Sequence, residues 1–292
     1  MTTTASTQPL TVERDSQGVA TLWLDAPHQP VVVFDRSLLA RLNQAIDTLI
    51  NDPPSMVIIR SSCSRVWVAG ADLKEINSLD DEMLDLYLAD GQRTFARLSN
   101  LPFPVIAAID GAALGGGLEL ALHCHGIVVS RINAKDKPYP VGLPEAGLGL
   151  VPAWGGTQLL PARVMPSISV TAIATGTPFK SDKLPEGLAD IIVDRPDELD
   201  QAARMIADTI EIEDLPHSVS SCDNEESILA AVDHVRHAHR SDEASGVVAH
   251  CVSTGVKYGL AAGLGQEREG LVSLRNTEHT TTKLREFLNL NG

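Results

Sequence analysis

The chain has 292 residues, of which 43% are apolar, and its formal net charge at pH 7 is −15. A chain of this length and apolar content can bury a full hydrophobic core. The acidic excess disfavours nucleic acid, which proteins bind with Lys and Arg that neutralise phosphates, and it also disfavours an anionic membrane surface. We therefore expect partners that include neither nucleic acid nor a membrane.

The cysteines and the first residues indicate the compartment. The four cysteines are Cys63, Cys124, Cys222 and Cys251. None belongs to a Cys-x-x-Cys pair, so the sequence predicts free thiols in a reducing compartment and no metal site. Residues 1–9 lack the basic and apolar segments of a signal peptide, and no apolar run reaches the roughly 20 residues of a membrane span. The sequence predicts a cytoplasmic protein with a disordered tail at residues 1–10.

Strand and helix patterns alternate in the first third of the chain. Residues 19–24 and 56–60 are short β-rich runs that predict strands. Residues 37–50 have helical spacing, with Ser37 as the candidate N-cap, and residues 79–101 predict a second long helix. The apolar face of the first helix consists of Leu38, Leu39, Leu42, Ile46, Leu49 and Ile50. This alternation is typical of an α/β architecture.

The middle of the chain continues the same pattern. Residues 104–110 form a continuous apolar run that predicts a buried strand, and residues 127–129 predict another. A polar, proline-containing excursion follows at residues 131–140, and the later segments predict helices, a turn and a short strand. Beyond about residue 194 the pattern is almost wholly helical. We interpret residues 11–196 as an α/β core and residues 197–292 as a C-terminal helical region.

The most informative segment is residues 109–122, IDGAALGGGLELAL. Three consecutive glycines between a strand and a helix allow positive φ, and the first N–H groups of a helix have no intrahelical partner. Such a turn can bind an oxyanion, and Glu119 would lie beside whatever binds there. The alternative is a turn that only permits tight packing, with Glu119 favoured by the helix dipole. The glycine spacing also differs from the GxGxxG of dinucleotide folds.

Residues 68–76, VAGADLKEI, predict a second place where a ligand can approach the backbone. Its small residues are Ala69, Gly70 and Ala71. Two loops that each offer one N–H would form an oxyanion hole, in which a single donor is typically worth about 2.7–4 kcal/mol. The alternative is a strand-to-helix turn with Asp72 as N-cap and Glu75 as its capping-box partner, and both interpretations can hold together.

A second glutamate lies in an apolar setting. Glu145 follows Pro144 within GLPEAGLG, and a carboxylate among apolar neighbours has either a partner or a raised pKa. Two carboxyl groups that face one cleft can hold a water molecule, one as base and the other as acid. Alone, a glutamate after proline is more often a surface turn residue.

Three segments taken in order resemble the enoyl-CoA hydratase/isomerase (crotonase) family: AGADLKEI, PVIAAIDGAALGGGLELAL and GLPEAGLGLVPAWGGTQLLP. Weaker similarity in ATGTPFKSDKLPEGLADIIV and QEREGLVSLRNTEHTTTKLREFL extends the resemblance over nearly all of the chain. The resemblance implies an α/β fold, a crotonase-like spiral of β-β-α units with a C-terminal helical region, assembled as a homotrimer or a dimer of trimers. It also implies an acyl-CoA thioester substrate and no separate cofactor, because coenzyme A is part of the substrate.

The resemblance further implies roles for individual residues. Ala71 and Gly116 would supply the oxyanion N–H groups, and Glu119 and Glu145 would be the acid/base pair that adds water to trans-2-enoyl-CoA. The other residues implied in binding the substrate and its CoA are Ala69, Gly70, Asp72, Leu73, Lys74, Gly115 and Gly117. Having both glutamates favours hydration, since isomerases of the family commonly keep only one.

Two alternatives stay open at this point. Another reaction of an oxyanion-stabilised enolate, namely double-bond isomerisation, thioester hydrolysis or retro-Claisen cleavage, is motivated by the excursion at residues 131–140, which is longer than in many family members and could reshape the acyl pocket. A non-enzymatic or RNA-binding member is motivated by His125 and Leu159, where the family often has Asp and Arg. The acidic charge argues against RNA.

Overall fold

A computed structural model of the chain describes residues 8–27, 29–63, 65–212, 218–221 and 223–289. The strands are β1 Thr11–Arg14, β2 Val19–Leu24, β3 Met56–Ser61, β4 Val66–Val68, β5 Val105–Ile109, β6 Ala112–Leu114, β7 Gly126–Ser130, β8 Pro140–Gly142, β9 Phe179–Lys180 and β10 Ile191–Val193. The α-helices are α1 Arg36–Asn51, α2 Leu73–Ser78, α3 Asp81–Ser99, α4 Gly116–Leu122, α5 Gly156–Arg163, α6 Pro166–Thr175, α7 Leu199–Ala207, α8 Glu225–Ala238, α9 Glu243–Tyr258, α10 Leu260–Arg275 and α11 Glu278–Phe287. A 3₁₀ turn, Glu145–Leu148, follows β8.

The larger sheet has six strands in the order β1-β2-β3-β5-β7-β10, parallel except for the β1/β2 pair. The central strands β5 and β7 are buried along their whole length because both faces are covered, as expected of a parallel sheet, whereas the edge strand β1 is mostly exposed. Val57 and Ile59 point into the main core, while Ile58 and Ile106 point to the opposite face, where α7 packs on them. The strands predicted at 19–24, 56–60, 104–110 and 127–129 are confirmed within one or two residues at each end.

The smaller sheet has four short strands in the order β4-β6-β8-β9. The strands β4, β6 and β8 run parallel, so their carboxyl ends lie at one edge, and β6 leads directly into α4. The Gly115 N–H donates to the carbonyl of Gly142 at 2.9 Å, which ties the glycine turn to the end of β8. This sheet therefore brings three loops together, namely those that follow β4, β6 and β8.

The first long helix is amphipathic as predicted, but two details of the sequence interpretation are wrong. Asp35, not Ser37, is the N-cap, and its carboxylate accepts from the Leu38 N–H at 2.7 Å. Ile50 is 47% exposed and does not join the buried face. The helix turns Ile50 away from the core while Leu49 lies in it, because consecutive residues on a helix face different directions.

The predicted helix at 79–101 corresponds to α3, which is preceded by a separate short helix, α2. Asp80 caps α3 by accepting from the Met83 N–H at 2.8 Å, and Asp72 caps α2 by accepting from the Lys74 N–H at 2.8 Å. The predicted N-cap role of Asp72 is confirmed. Glu75 does not complete a capping box, since the Asp72 N–H already donates to the Phe34 carbonyl. The Glu75 carboxylate instead pairs with Arg36.

The C-terminal region is helical, as predicted, and its helices join the main hydrophobic core. The helices α9 and α10 pack against each other and against α5, and α10 also packs on α3. Their buried residues include Val248, Val252 and Leu271. The α/β class with a helical C-terminal region is confirmed, while the division at residue 196 stays a prediction.

Of the predicted tail, residues 1–7 lie outside the described residues. The side chain of Leu10 is buried in the core, and the carbonyl of Gln8 accepts a hydrogen bond from Arg41 Nε at 2.6 Å. The folded part therefore begins before residue 11. Within the described ranges, no helix combines the length and the apolar character needed to cross a bilayer.

Candidate active site

A cavity of about 400 Å³ lies where the loops after β4, β6 and β8 meet. Its walls are mainly apolar: α2 and α3 contribute Ile76 and Leu88, and α10 and α11 contribute Leu271 and Phe287. Two carboxyl side chains line the same cavity, those of Glu119 and Glu145. A concave apolar pocket with a few convergent polar groups is the usual form of a small-molecule site.

The loops after β4 and β6 place two backbone N–H groups side by side. Ala71 forms a parallel bridge with Phe34 that uses the Gly70 carbonyl and the Asp72 N–H, so the N–H of Ala71 faces the other way. Gly116 is the first residue of α4, where an N–H has no intrahelical acceptor. A Cβ on Gly116 would lie 3.4 Å from the Ala71 nitrogen, so the two loops touch. The structure thus brings the predicted oxyanion donors together.

The close approach of the two loops requires a glycine on each of them. Gly115 has φ +52°, and a Cβ there would lie 2.5 Å from Glu145 Oε1. Gly70 has φ +107°, and a Cβ there would lie 3.1 Å from the Leu114 carbonyl oxygen. Any side chain at either position would strain the backbone and separate the loops.

Glu119 projects from the first turn of α4 and is 2% exposed. Its Oε1 accepts hydrogen bonds from the Trp154 N–H at 2.7 Å and from the Gly156 N–H at 2.9 Å. Burial raises the pKa of Glu119 to about 7, and the two N–H donors oppose this rise. Two donors on one oxygen fix the carboxyl group and favour its ionised form.

Glu145 opens the 3₁₀ turn on the other side of the cavity. Its Oε2 is enclosed and finds no hydrogen-bond partner among the residues that the structure describes. Burial, and next the charge of Glu119, raise the pKa of Glu145 well above its ordinary value. The two carboxyl groups therefore differ: two N–H donors oppose the rise in pKa at Glu119, whereas at Glu145 burial and a neighbouring charge both favour the protonated acid.

A third glutamate, Glu267, was missed by the sequence interpretation. It lies on α10 and is fully buried, and its carboxylate accepts from the N–H groups of Gly155 and Thr157 at 2.7 and 2.9 Å. The segment QERE resembles a solvated helix face. The available signal was periodicity, since Glu267 stands four and seven residues before Leu271 and Leu274, which are buried.

Trp154 was also missed, and it supports the site from behind. Its indole is fully buried among Phe34, Tyr87 and Phe95, with ring centroids 5.2–6.0 Å away, and its Nε1 donates to the Leu88 carbonyl at 3.0 Å. His123 holds the Trp154 carbonyl through Nε2 at 2.9 Å. Burial lowers the pKa of His123 to about 4, which favours the neutral imidazole, and the ring packs behind the site.

The structure separates the remaining predicted binding residues into two groups. Ala69, Gly70, Leu73 and Gly115 line the cavity. Asp72, Lys74 and Gly117 do not: Asp72 caps α2, Lys74 is exposed at its start, and a Cβ on Gly117 would lie 2.5 Å from the Val68 carbonyl oxygen. Gly117 thus packs α4 against β4.

The excursion at residues 131–140 lies away from the cavity. None of its residues lines the cavity, and its end is anchored by Tyr139, whose hydroxyl donates to the carbonyl of Ile109 at 2.8 Å. The expectation that this segment could reshape the pocket is wrong for the described structure. His125 is likewise a packing residue, since its Nδ1 accepts from the Val105 N–H at 3.1 Å.

The arrangement can polarise a carbonyl group and move protons beside it. Paired N–H donors lower the energy of an oxyanion, and an ionised and a protonated carboxyl group can remove one proton and supply another. An apolar cavity strengthens these interactions by excluding water.

Comparison with known proteins gives a concordant result. The family model described as enoyl-CoA hydratase/isomerase matches residues 14–243. A Bacillus subtilis (strain 168) protein named "Probable enoyl-CoA hydratase" is 39% identical over 177 residues, which is 60% of this chain and 66% of that protein, so the match spans just under two thirds of the relative.

Solved structures show the same fold over nearly the whole chain. An enoyl-CoA hydratase from Bacillus anthracis superimposes with a TM-score of 0.61 at 25% identity, covering 97% of both chains. A carnitinyl-CoA dehydratase from Mycobacterium thermoresistibile superimposes with a TM-score of 0.70 at 21% identity, covering 96% of this chain and 90% of the other. At that identity the second likeness concerns the fold alone.

Proposed function

Because this chain belongs to the enoyl-CoA hydratase/isomerase family, we propose that it is an enoyl-CoA hydratase, which adds water to trans-2-enoyl-CoA to give 3-hydroxyacyl-CoA. The observation that carries the proposal is the placement of Glu119 and Glu145 on one cavity, with two N–H donors for the first and no partner for Oε2 of the second. A base and an acid are the two groups that hydration requires.

In the proposed mechanism, the thioester carbonyl oxygen accepts hydrogen bonds from the N–H groups of Ala71 and Gly116. The ionised Glu119 removes a proton from a water molecule, whose oxygen bonds to Cβ of the enoyl group. The π electrons of the Cα=Cβ bond form a new double bond between Cα and the carbonyl carbon, the carbonyl π pair moves onto the thioester oxygen, and the two N–H groups stabilise this enolate. The protonated Glu145 then delivers its proton to Cα, and proton exchange with solvent resets both carboxyl groups.

The apolar lining favours a hydrocarbon acyl group. Apart from the two glutamates, the side chains that line the cavity are aliphatic or aromatic or belong to glycine and proline, so a charged or hydroxylated acyl tail would lose its hydration without compensation. The residues proposed to bind the thioester and the adjoining CoA are Ala69, Gly70, Leu73 and Gly115, which line the cavity, with Asp72, Lys74 and Gly117 next to them along the chain.

The same cavity supports the proposal of hydration over the other family reactions. Isomerisation needs one group that moves a proton between two carbons, whereas two carboxyl groups of opposite protonation suit the addition of H and OH. Thioester hydrolysis and retro-Claisen cleavage were motivated by residues 131–140, which do not line the cavity.

The test is a panel of CoA thioesters incubated with the purified protein. Crotonyl-CoA is expected to lose its conjugated-thioester absorbance and to gain the mass of one water. A 3-enoyl-CoA, a saturated acyl-CoA and a β-diketone thioester report isomerase, hydrolase and retro-Claisen activity in the same assay. Turnover of one of these three with crotonyl-CoA left intact would overturn the proposal.

A further inference from the structure

The turn that begins α5 is held by two carboxyl groups in an alternating pattern. The N–H groups of Trp154 and Gly156 donate to Glu119 Oε1, and those of Gly155 and Thr157 donate to the carboxylate of Glu267. Four consecutive N–H groups are therefore divided between two glutamates that lie on opposite sides of the turn. Gly155, inside this turn, has φ +106°, which other residues rarely adopt.

Glu267 forms the stronger half of this clamp. Besides the two N–H groups, the Thr157 hydroxyl donates to its Oε1 at 2.6 Å, so three donors reach one fully buried carboxylate. Glu267 does not line the cavity and so does not contact a ligand there. It is separated from the cavity by the turn itself, with Glu119 on the far side.

The charged and titratable groups that face Glu267 come from several elements. Glu119 on α4 and Glu145 on the 3₁₀ turn lie toward the cavity, and Cys251 on α9 lies on the other side. On its own helix, Arg268 is paired with Asp85 at 2.9 Å and with the Gln92 oxygen, and Glu269 is exposed. Within the described part of the chain, Glu267 has no ion pair with lysine or arginine.

We propose that Glu267 is a positioning residue of this active site: its carboxylate fixes the turn that carries both donors to Glu119, and its negative charge retains the proton on Glu145. The inference rests on the function proposed above. Burial and next the charge of Glu119 raise the pKa of Glu267, and its three donors oppose this rise, whereas Oε2 of Glu145 has no donor among the described residues. Of these crowded carboxyl groups, Glu145 is therefore the one that holds a proton most readily. Burial, the charge of Glu119 and, after them, that of Glu267 raise the pKa of Glu145.

The experiment compares Glu267→Gln with the wild-type protein over a range of pH, with crotonyl-CoA as substrate. Glutamine keeps the size of the side chain and removes its charge. We expect kcat to fall about tenfold or more at neutral pH, because the N–H donors to Glu119 lose their support. The alkaline limb of the rate profile should move to lower pH by on the order of one unit, because a like charge near Glu145 is gone. KM should stay within about twofold, since Glu267 lies outside the cavity.

A substrate-independent measurement follows the same proton. The infrared C=O band of a protonated buried carboxyl group, assigned to Glu145 by its loss in Glu145→Gln, should titrate at lower pH in Glu267→Gln than in wild type. Glu269→Gln, an exposed neighbour on the same helix, is the matched control and should leave both profiles unchanged. Absence of hydration by the wild-type protein would overturn the proposed function but leave this band as the test of Glu267.

A pair of substitutions at Thr157 guards against a variant that fails to fold. Thr157→Val removes the hydroxyl donor to Glu267 and should lower kcat severalfold, while Thr157→Ser keeps the donor and should stay within about twofold of wild type. The proposal would be overturned if Glu267→Gln had the same alkaline limb and the same infrared titration as the wild-type protein, whatever the change in kcat. If that variant does not fold, equal rates in Thr157→Val and Thr157→Ser would overturn it.

Discussion

At the scale of single residues, three glutamates with enclosed carboxyl oxygens differ in the donors that reach them. Glu119 receives two N–H groups and Glu267 receives two N–H groups and a hydroxyl, while Oε2 of Glu145 receives nothing from the described residues. Burial raises the pKa of all three carboxyl groups. Hydrogen-bond donors oppose this rise at Glu119 and Glu267, whereas Oε2 of Glu145 has none, which favours the proton on Glu145.

The protonation of Glu119 predicts the acid side of the activity profile. Its pKa is raised to about 7, and the proposed base must be ionised. The value of kcat/KM for crotonyl-CoA should therefore level off about one pH unit above this pKa and fall about tenfold per pH unit well below it. Initial rates measured from about pH 5 to pH 9 check this. A rate that stays level down to about pH 5 would show that Glu119 is not the base.

Local motifs allowed the sequence to single out Glu119 and Glu145 and two loops of small residues, and the family resemblance then implied Ala71 and Gly116 as the donors within those loops. Glu267 had no such motif. It lies 148 residues after Glu119 in a charged stretch, and only the packing of α10 on α5 shows that it faces inward. Sequence patterns reveal residues that are close along the chain, whereas this contact joins two helices that are far apart in the sequence.

At the scale of elements, the site depends on how α3, α4 and the turn before α5 fit around Trp154. A Cβ on Gly91 of α3 would lie 2.1 Å from the Trp154 indole nitrogen, and a Cβ on Gly116 would lie 2.4 Å from its six-membered ring. Two glycines on two helices thus leave room for one indole. The position of the indole in turn fixes the backbone N–H of Trp154, which donates a hydrogen bond to Glu119.

This fit predicts opposite effects for two helical glycines. Gly91→Ala should lower the free energy of unfolding by about 1–3 kcal/mol, because the added methyl overpacks the indole. Gly246→Ala, on an exposed face of α9 with no atom within 4 Å of the added Cβ, should raise it by up to about 1 kcal/mol through better helix propensity. Urea unfolding of both variants measures the difference. Equal stabilities would contradict the packing described.

The elements that sequence could not predict are the short ones. The strands β4, β6 and β8 have three residues each, too few for an alternating pattern to be recognised, and Ala112–Leu114 was interpreted as part of the glycine turn. Long periodic elements such as α1, α3 and β5 were predicted within a few residues at each end. The second sheet nonetheless brings the three site loops together. The relative positions of these loops could therefore be seen only in the structure.

At the scale of the whole molecule, buried carboxyl groups cost stability. The pKa of Glu145 is raised in the folded protein, so between its ordinary value of 4.5 and the raised value the folded state binds more protons than the unfolded state. Stability therefore falls as pH rises through this window. This loss of stability is absent at pH values below the ordinary pKa, and it grows as the pH approaches the raised pKa.

A neutral side chain at this position should remove that loss. Glu145→Gln is expected to raise Tm relative to wild type, and the difference should increase from about pH 5 to about pH 8. Exposed Glu269→Gln serves as control and should show no trend. Thermal unfolding followed by circular dichroism provides the measurement. A Tm difference that is constant or shrinks with rising pH would contradict the buried, protonated state of Glu145.

The assembly is a second expectation at this scale. The family resemblance implies a homotrimer or a dimer of trimers, and large apolar side chains at the surface include Met165, Met205 and Tyr258, each at least 60% exposed. Light scattering after size exclusion should give three or six times the chain mass of 31.2 kDa. A monomer at micromolar concentration would contradict this expectation.

The central claim is that Glu119 and Glu145 act together on one substrate, and the most direct test is the hydration rate of the single and double glutamine variants. Each of Glu119→Gln and Glu145→Gln should lower kcat for crotonyl-CoA by about 10²–10⁴-fold, because each removes one proton transfer. The double variant should lose less than the product of the two effects, because the two groups act as a unit. Hydration at the wild-type rate by the double variant would contradict the account.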